Sequence, residues 1–466
     1  MAHGEIRHMN LEVVILAAGK GTRMQSELPK VMHRLAGRPL LEHVLDTTAS
    51  LQPKAVHIVV GYGANALRDH FADYQIDGRP VNWVVQEQQL GTGHAVLQAL
   101  PAVDDESCVL VLYGDGPLIR SETLKRIVLL AREEVSLLTA EVPDPSGLGR
   151  ILRNQQGDLC GVVEDRDASA EQGNICEINT GVLAAPAMKL KAWLPQVRAA
   201  NNQKEYYLPD IIALATSEGD RIITAHPEFL WEIEGINDRI QLSQMERAYQ
   251  ARLARELMGG GVSLADPNRL DIRGDLNCGR DIFIDVNVVF EGVVNVADGV
   301  SIGANCIIKD SDIGVGCEIK SHSSLEGARL SANCTVGPYA RLRPGTVLAG
   351  GVKIGNFVET KKASIGEGSK VSHLAYMGDS EIGAGVNVGA GTITCNYDGA
   401  NKYPTIIGDG AFIGSNSTLV APVEIEKNGF VGAGSTITKT VPTGELAVAR
   451  SPQRHISNWQ KPIKKQ

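Results

Sequence analysis

No stretch of the 466 residues approaches the ~18–20 consecutive apolar positions that a membrane-spanning helix needs, so such a span is excluded. Basic residues are not in excess either: 45 Lys and Arg stand against 54 Asp and Glu, a net charge of −9. That balance argues against a general nucleic-acid binder, which carries a basic surface. None of the eight cysteines (Cys108, Cys160, Cys176, Cys278, Cys306, Cys317, Cys334, Cys395) belongs to a C-x-x-C pair. Thiols scattered through a chain this long read as reduced, mostly buried side chains of a cytoplasmic protein. The pattern G-x-x-x-x-G-K-[ST] is missing, which removes ATPases of that class. The first nine residues, MAHGEIRHM, lack the apolar stretch of a signal peptide and read as a cloning remnant.

What is present divides in two. The length suits two or three domains at ~150 residues each, and 43% apolar with 21% charged residues is an ordinary globular balance. Residues 262–451 hold 28 of the 50 glycines, about 15% of that stretch against a usual ~7%. Trp83, Trp193 and Trp231 precede it and Trp459 follows it. The composition changes near residue 260, and the organisation expected is residues 10–238, a linker helix over 239–261, and residues 262–466.

The first part alternates short apolar runs (LEVVIL, VHIVVG, VNWVVQ, CVLVLYGD) with helical patterns such as PLLEHVLDTTASL and GTGHAVLQAL. This alternation predicts an α/β fold with a mostly parallel, doubly covered sheet. From Asp238 to Met258 the chain is polar and free of glycine, with Ile240, Leu242, Met245, Tyr249, Leu253 and Leu257 at helical spacing before Gly259. One long amphipathic helix is expected there.

Beyond it the apolar residues stand six apart, as at Ile284, Phe290, Val296, Ile302 and Ile308, and again from Leu330 to Ile354 and from Ile407 to Ile437. Glycine often follows, as at Gly303, Gly366 and Gly414. A hexapeptide period kept this long predicts an all-β parallel β-helix, whose short flat rungs must stack to bury a core. The period does not give the hand. The longest interruption, ITCNYDGANKYP over residues 393–404, is either a surface insertion or a carrier of binding groups.

LAAGKGTRM (Leu16 to Met24) follows a strand, and small residues there let backbone N–H groups approach a phosphate. Arg23 and Lys30 add positive charge. Asp115 in LYGDGPLI reads either as a turn carboxylate or as a ligand at a strand end, where open α/β sheets place their sites. His373 in KVSHLAY is by spacing alone either structural or a proton acceptor.

LAAGKGTRM followed by LPKVMH, with QLGTGHA and LYGDGPLI, resembles the sugar-nucleotide pyrophosphorylases. With the hexapeptide repeat, the chain from about residue 10 resembles the bacterial bifunctional N-acetylglucosamine-1-phosphate uridylyltransferase / glucosamine-1-phosphate acetyltransferases. The resemblance implies a Rossmann-like nucleotidyltransferase domain, a helical linker and a left-handed parallel β-helix. It implies that Leu16, Ala17, Ala18, Gly19 and Lys30 contact UTP, that Arg23 meets its phosphates, and that Gln86, Gly91 and Thr92 read uracil. Tyr113 and Gly114 would join the nucleotide site, Asp115 and Asn237 would hold Mg²⁺, and Gly149, Glu164 and Asn179 would meet the sugar. In the repeat, His373 would be the general base and Glu359 would orient its ring. Arg343 and Lys361 would bind the sugar phosphate, Tyr376 and Asn387 the sugar. Ala390, Asn396, Tyr397, Ser415, Ala433 and Arg450 would contact acetyl-CoA. Pro209, where threonine is usual, and Asp238, where a second asparagine occurs, depart from the family pattern.

The implied substrates are glucosamine-1-phosphate, acetyl-CoA, N-acetylglucosamine-1-phosphate and UTP; the implied assembly is a cytoplasmic homotrimer with no nucleic-acid partner. A basic tail after Glu445 (Arg450, Arg454, Lys461, Lys464, Lys465) would close over the anionic cofactor. The competing expectations are a single-activity pyrophosphorylase with a β-helix for assembly, and a non-catalytic sugar-nucleotide binder.

Overall fold

Four β-branched runs near the N-terminus have no polar alternation, which suits strands covered on both faces. In a computed structural model, which describes residues 9–464, they become β1 (Leu11–Ala17), β2 (Ala55–Val60), β3 (Asn82–Val85) and β4 (Cys108–Tyr113). The cloning remnant expected at the start lies, save Met9, outside the described residues. β1 pairs in parallel with β2 and β4, and β2 with β3.

The sheet is not mostly parallel. β5 (Val135–Glu141), β6 (Gly149–Arg153), β7 (Leu159–Val163), β8 (Glu177–Pro186) and β9 (Ile222–Ala225) complete nine strands, ordered β7-β6-β8-β4-β1-β2-β3 along the main path. β8 runs antiparallel to β4, β5 and β6, and β6 and β7 form a hairpin. The short β6–β7 connection cannot hold a crossover helix, so the two strands must run opposite ways.

Helices α1 (Leu40–Ala49), α2 (Ala64–His70), α3 (Thr92–Ala99) and α4 (Ser121–Leu130) follow the first four of these strands. Two cores result, one packing Leu41, Val44 and Ile127 against the sheet, the other Val96, Trp193 and Ile211. α5 (Ala187–Trp193) and α6 (Asp210–Ser217) serve the second core, and Pro209 stands at the start of α6.

α7 spans Arg239–Gly259. The Asp238 carboxylate caps it, accepting from the backbone N–H of Ile240 and Gln241 at 2.9 Å each, which accounts locally for an acid at this position. Ile240, expected on its apolar face, is 72% exposed, whereas Met245 is buried with Leu35, Leu40 and Ile236.

The chain divides into two compact units after Tyr249. The second is a coil of short parallel strands in two long sheets of 11 and 15 strands. Hexapeptide residues stack in register, Ile308 on Leu325 on Leu342, and Ile319 on Val336 on Ile354. All of these are buried in one continuous core; Cys278 is only partly buried. At the first coil, Gln250 brackets the Ile272 backbone: its carboxamide donates to the carbonyl at 2.8 Å and accepts from the N–H at 2.9 Å. Leu253 and Leu257 pack onto the core beside it.

Candidate functional site

The C-terminal ends of β1, β3 and β4 surround a cavity of 450 Å³. It gathers Leu16, Ala17, Ala18, Gly19, Lys30, Gln86, Gly91, Thr92, Tyr113, Asp115 and Asn237, eleven of the residues singled out in the sequence. Backbone geometry explains several of them. Gly91 has φ 109°, and a Cβ there would stand 2.6 Å from the Tyr206 carbonyl oxygen, so only glycine lets the 205–207 segment close against the wall. Thr92 starts α3, and its hydroxyl accepts from the Leu208 N–H at 3.0 Å. Gly114 does not line the cavity; its N–H donates to the Leu16 carbonyl at 3.0 Å and holds β4 against the phosphate-loop strand.

Charge converges at one edge. Lys30 Nζ contacts Asp115 Oδ2 directly and lies 3.1 Å from Asn237 Oδ1, which also accepts from Arg23 Nη2 at 2.9 Å. Two cations and two oxygen donors thus share one point. An ammonium already occupies the focus of a carboxylate and a carboxamide oxygen, the donor chemistry a hard divalent cation requires. Magnesium keeps several water and phosphate ligands, so two protein oxygens suffice, and Asp115 and Asn237 fit it.

Gly149, Glu164 and Asn179 lie on the antiparallel side, away from that cavity. Gly149 pairs with Asn179 across β6 and β8, and a Cβ at Gly149 would stand 3.2 Å from Glu164 Oε1. Tyr113 lines both the first cavity and an adjoining one of 250 Å³ that Asp115 and Asn237 share and that Gly149, Glu164 and Asn179 do not line. Burial, then the nearby Asp210, Asp167 and Asp165 carboxylates, pushes the Glu164 carboxyl up. Gln89 was not foreseen, although it sits in QLGTGHA: its amide donates to the Ala18 carbonyl at 2.7 Å and ties that motif to the phosphate loop.

In the second unit, His373 is exposed at the end of Lys370–His373. Its Nδ1 lies 2.6 Å from Asn356 Oδ1, its in-register neighbour one coil earlier. Asn356, and not Glu359, therefore orients the ring. Glu359 instead accepts from Arg343 Nη1 at 2.8 Å, because position 359 pairs with Tyr376 and not with His373. With Nδ1–H donating to Asn356, Nε2 keeps its lone pair for a proton.

Lys361 follows on the same strand, in register with Gly378. Its ammonium is held below the usual lysine range by the charge of Lys402 first and Arg343 second. Three cations gather here with the Glu359 carboxylate on Arg343 and the Asp379 carboxylate near Lys361, an arrangement able to receive an anion. Lys402 was not foreseen; it comes from the 393–404 loop, where a bridge pairs it with Tyr397. The Tyr397 hydroxyl donates to the Gly399 carbonyl at 2.5 Å, and the Asn396 amide contacts Asp379. Asn387 lies beside Lys370 on the next rung. Ala390, Ser415 and Ala433 follow one corner through successive coils: their carbonyls accept from Asn416 N at 2.7 Å, Gly434 N at 2.8 Å and Arg450 Nη1 at 2.7 Å. Four of the six predicted cofactor residues, Ala390, Ser415, Ala433 and Arg450, thus form a column that starts near His373, whose own carbonyl accepts from the Gly391 N–H; Asn396 and Tyr397 stand apart in the 393–404 segment. The described tail beyond Arg450 is exposed throughout.

Comparison with known proteins bears out the resemblance. Residues 13–154 match the MobA-like NTP transferase domain, and residues 404–439 the hexapeptide repeat of succinyl-transferase, the repeat of left-handed parallel β-helices. A solved structure of UDP-glucose pyrophosphorylase with UDP-glucose aligns at TM-score 0.44 and 19% identity over 52% of this chain and 100% of that one. "Bifunctional protein GlmU" of Marinobacter nauticus is 54% identical over 97% of this chain and 99% of its own length. The protein of the same name from Alkalilimnicola ehrlichii is 54% identical over 97% and 96%. With both units and their order matched in full-length relatives, the chain belongs to the bifunctional GlmU family.

Proposed function

We propose that the two units divide the synthesis of UDP-N-acetylglucosamine between them. The β-helix acetylates glucosamine-1-phosphate, and the α/β unit joins the product to UMP from UTP. The observation that carries the first site is the meeting of Lys30, Arg23, Asp115 and Asn237 at one edge of the nucleotide-sized cavity.

In the α/β unit, backbone groups from Leu16 to Gly19 cradle the triphosphate while Gln86, Gly91 and Thr92 hold the base. A phosphate oxygen of N-acetylglucosamine-1-phosphate, placed by the Gly149–Glu164–Asn179 side, attacks the α-phosphorus in line, and pyrophosphate leaves. Lys30 and Arg23 neutralise the charge that gathers on the phosphates, so positioning and electrostatics supply the catalysis. Asp115 and Asn237 would hold Mg²⁺, which would supply further positive charge to the phosphates.

In the β-helix, Arg343, Lys361 and Lys402 bind the sugar phosphate, and Tyr376 and Asn387 orient the sugar. His373 Nε2 takes a proton from the amine as its nitrogen attacks the acetyl thioester. The thiolate of coenzyme A leaves and is protonated. Ala390, Ser415, Ala433 and Arg450 hold the cofactor along the corner column, and Asn396 and Tyr397 add to it from the 393–404 segment. An assembly module has no use for gathered cations or for a histidine whose Nδ1 is engaged and whose Nε2 is left for a proton, which favours two activities over one. As working form we propose a cytoplasmic homotrimer with the basic tail closing over the cofactor.

The test mixes glucosamine-1-phosphate, acetyl-CoA, UTP and Mg²⁺ with the protein, scoring free coenzyme A and pyrophosphate separately. Both products are expected. Pyrophosphate release from supplied N-acetylglucosamine-1-phosphate with no coenzyme A release at any stage would leave the single-activity reading. Sedimentation of the same preparation tests the trimer.

A further inference from the structure

Gln86 is only 3% exposed, yet it faces the nucleotide cavity. Both hydrogens of its amide are spoken for. Nε2 donates to the Gly91 carbonyl at 3.1 Å, and it lies 3.0 Å from His94 Nδ1. A carbonyl can only accept, so the first bond fixes which end of the amide is nitrogen. The second hydrogen then points at His94 Nδ1, which must accept, leaving the imidazole proton on Nε2. That nitrogen lies 3.2 Å from the Gln98 carboxamide, one turn along α3, which meets an N–H with its oxygen after an amide flip. The Tyr206 ring closes the far side of the imidazole, with centroids 6.3 Å apart.

We propose that His94 is a positioning residue that sets the base specificity of the cavity, by holding Gln86 with only its carboxamide oxygen free for the base. The inference rests on the reading of this cavity as a uridine-nucleotide site. A free acceptor matches the N3–H of uracil. Cytosine presents a bare N3 lone pair at that place, so acceptor would face acceptor. Without Nδ1 to take the second N–H, the Gln86 amide can turn its nitrogen toward the base and lose that preference. His94 touches no substrate in this scheme; its effect passes through Gln86.

The experiment compares His94→Phe and His94→Asn with the full-length parent protein. His94→Phe keeps a ring against Tyr206 but removes the acceptor, and His94→Asn keeps an acceptor near the place of Nδ1. KM and kcat are measured with UTP and with CTP in the N-acetylglucosamine-1-phosphate reaction, and the tryptophan-monitored urea transition of the α/β unit, which holds Trp83, Trp193 and Trp231, serves as the folding control. For His94→Phe the UTP-over-CTP preference should fall by about 10-fold to 100-fold, mostly through the KM for UTP, the scale of one misplaced buried hydrogen bond. His94→Asn should restore most of it, and acetyl transfer should stay at the parental rate in both. An unchanged preference in His94→Phe, or an equal loss with both nucleotides that His94→Asn fails to rescue, overturns the proposal. Gln86→Leu separates the two layers: an unchanged preference there overturns the reading of Gln86 as the base reader itself, and the positioning role falls with it.

Discussion

A single coil of register decides what His373 can do. Its Nδ1 is engaged by Asn356, which leaves Nε2 as the nitrogen proposed to meet the amine. His373→Ala is expected to lower acetyl transfer by ~10²–10⁴, the usual worth of a positioned general base, with unchanged melting temperature and uridylylation. Asn356→Ala should cost less and should raise the fraction of the wrong tautomer, visible as a changed pH profile of coenzyme A release. Retention of near-parental acetylation by His373→Ala would place the base elsewhere. KVSHLAY alone left His373 either structural or a proton acceptor, only the family resemblance chose between them, and its partner was not foreseen. Asn356 is 17 residues away, and only the length of the intervening coil says that 356, not 359, faces it.

Asp210 offers a second residue-scale test. Burial first, and the Asp167 carboxylate second, push its carboxyl up to about 6. A raised acid pKa means that folding takes up a proton. The contribution to stability is therefore full below the unfolded value near 4 and is lost as pH rises through 6. A shift of this size is worth ~3 kcal/mol for a fully buried group; for this half-exposed one, screening leaves ~1 kcal/mol. Asp210→Asn should remove that slope between pH 4 and 7 and stabilise the α/β unit by ~1 kcal/mol at pH 8. Urea unfolding followed by tryptophan fluorescence reads it, and an unchanged pH slope would contradict it.

At the level of elements, the two halves of the chain were unequally readable. The parallel strands β1, β2 and β4 announce themselves as apolar runs because both faces are covered, whereas the edge strand β3 keeps exposed ends around its Trp83–Val84 centre. β6 and β7 are five-residue strands interrupted by Gly149, Arg150, Arg153 and Gly161, which gives a weak pattern, and the antiparallel side of the sheet passed unnoticed. The repeat was legible almost residue by residue, since each apolar position must meet its copy in the next coil. That dependence makes it vulnerable. Leu325 lies fully buried between Ile308 and Leu342. Leu325→Ala should cost ~2–5 kcal/mol, the cost of a core cavity that rigid neighbours cannot fill. Far-UV circular dichroism in denaturant should show an earlier transition of the second unit, with the tryptophan-monitored transition of the first unmoved. A joint shift would mean that the units unfold together.

For the whole molecule, each candidate site is built from residues of one unit. Asp115 and its cationic partners all precede Tyr249, and His373 with its neighbours all follow it. Asp115→Ala is therefore expected to abolish pyrophosphate release while leaving coenzyme A release nearly intact. Loss of both from a folded protein would show that the sites depend on one another. The motif residues of the first site were legible because loop and helix N-terminus are adjacent in sequence. Asn237 is distant from them, and only the family resemblance pointed to it.

Parallel stacking has no natural end: every rung offers the next chain a ready row of hydrogen-bonding groups. At the first coil, the Gln250 carboxamide satisfies both backbone groups of Ile272, and Leu253 and Leu257 lid the core there. The last turns of α7 act as a stopper against runaway templating. A fragment beginning at Val262 would carry the complete hexapeptide array but an open, sticky first rung, and it should assemble into thioflavin-positive fibres or precipitate. A fragment beginning at Arg239 should stay dispersed at the same concentration. Equal solubility of the two would show that the rung protects itself.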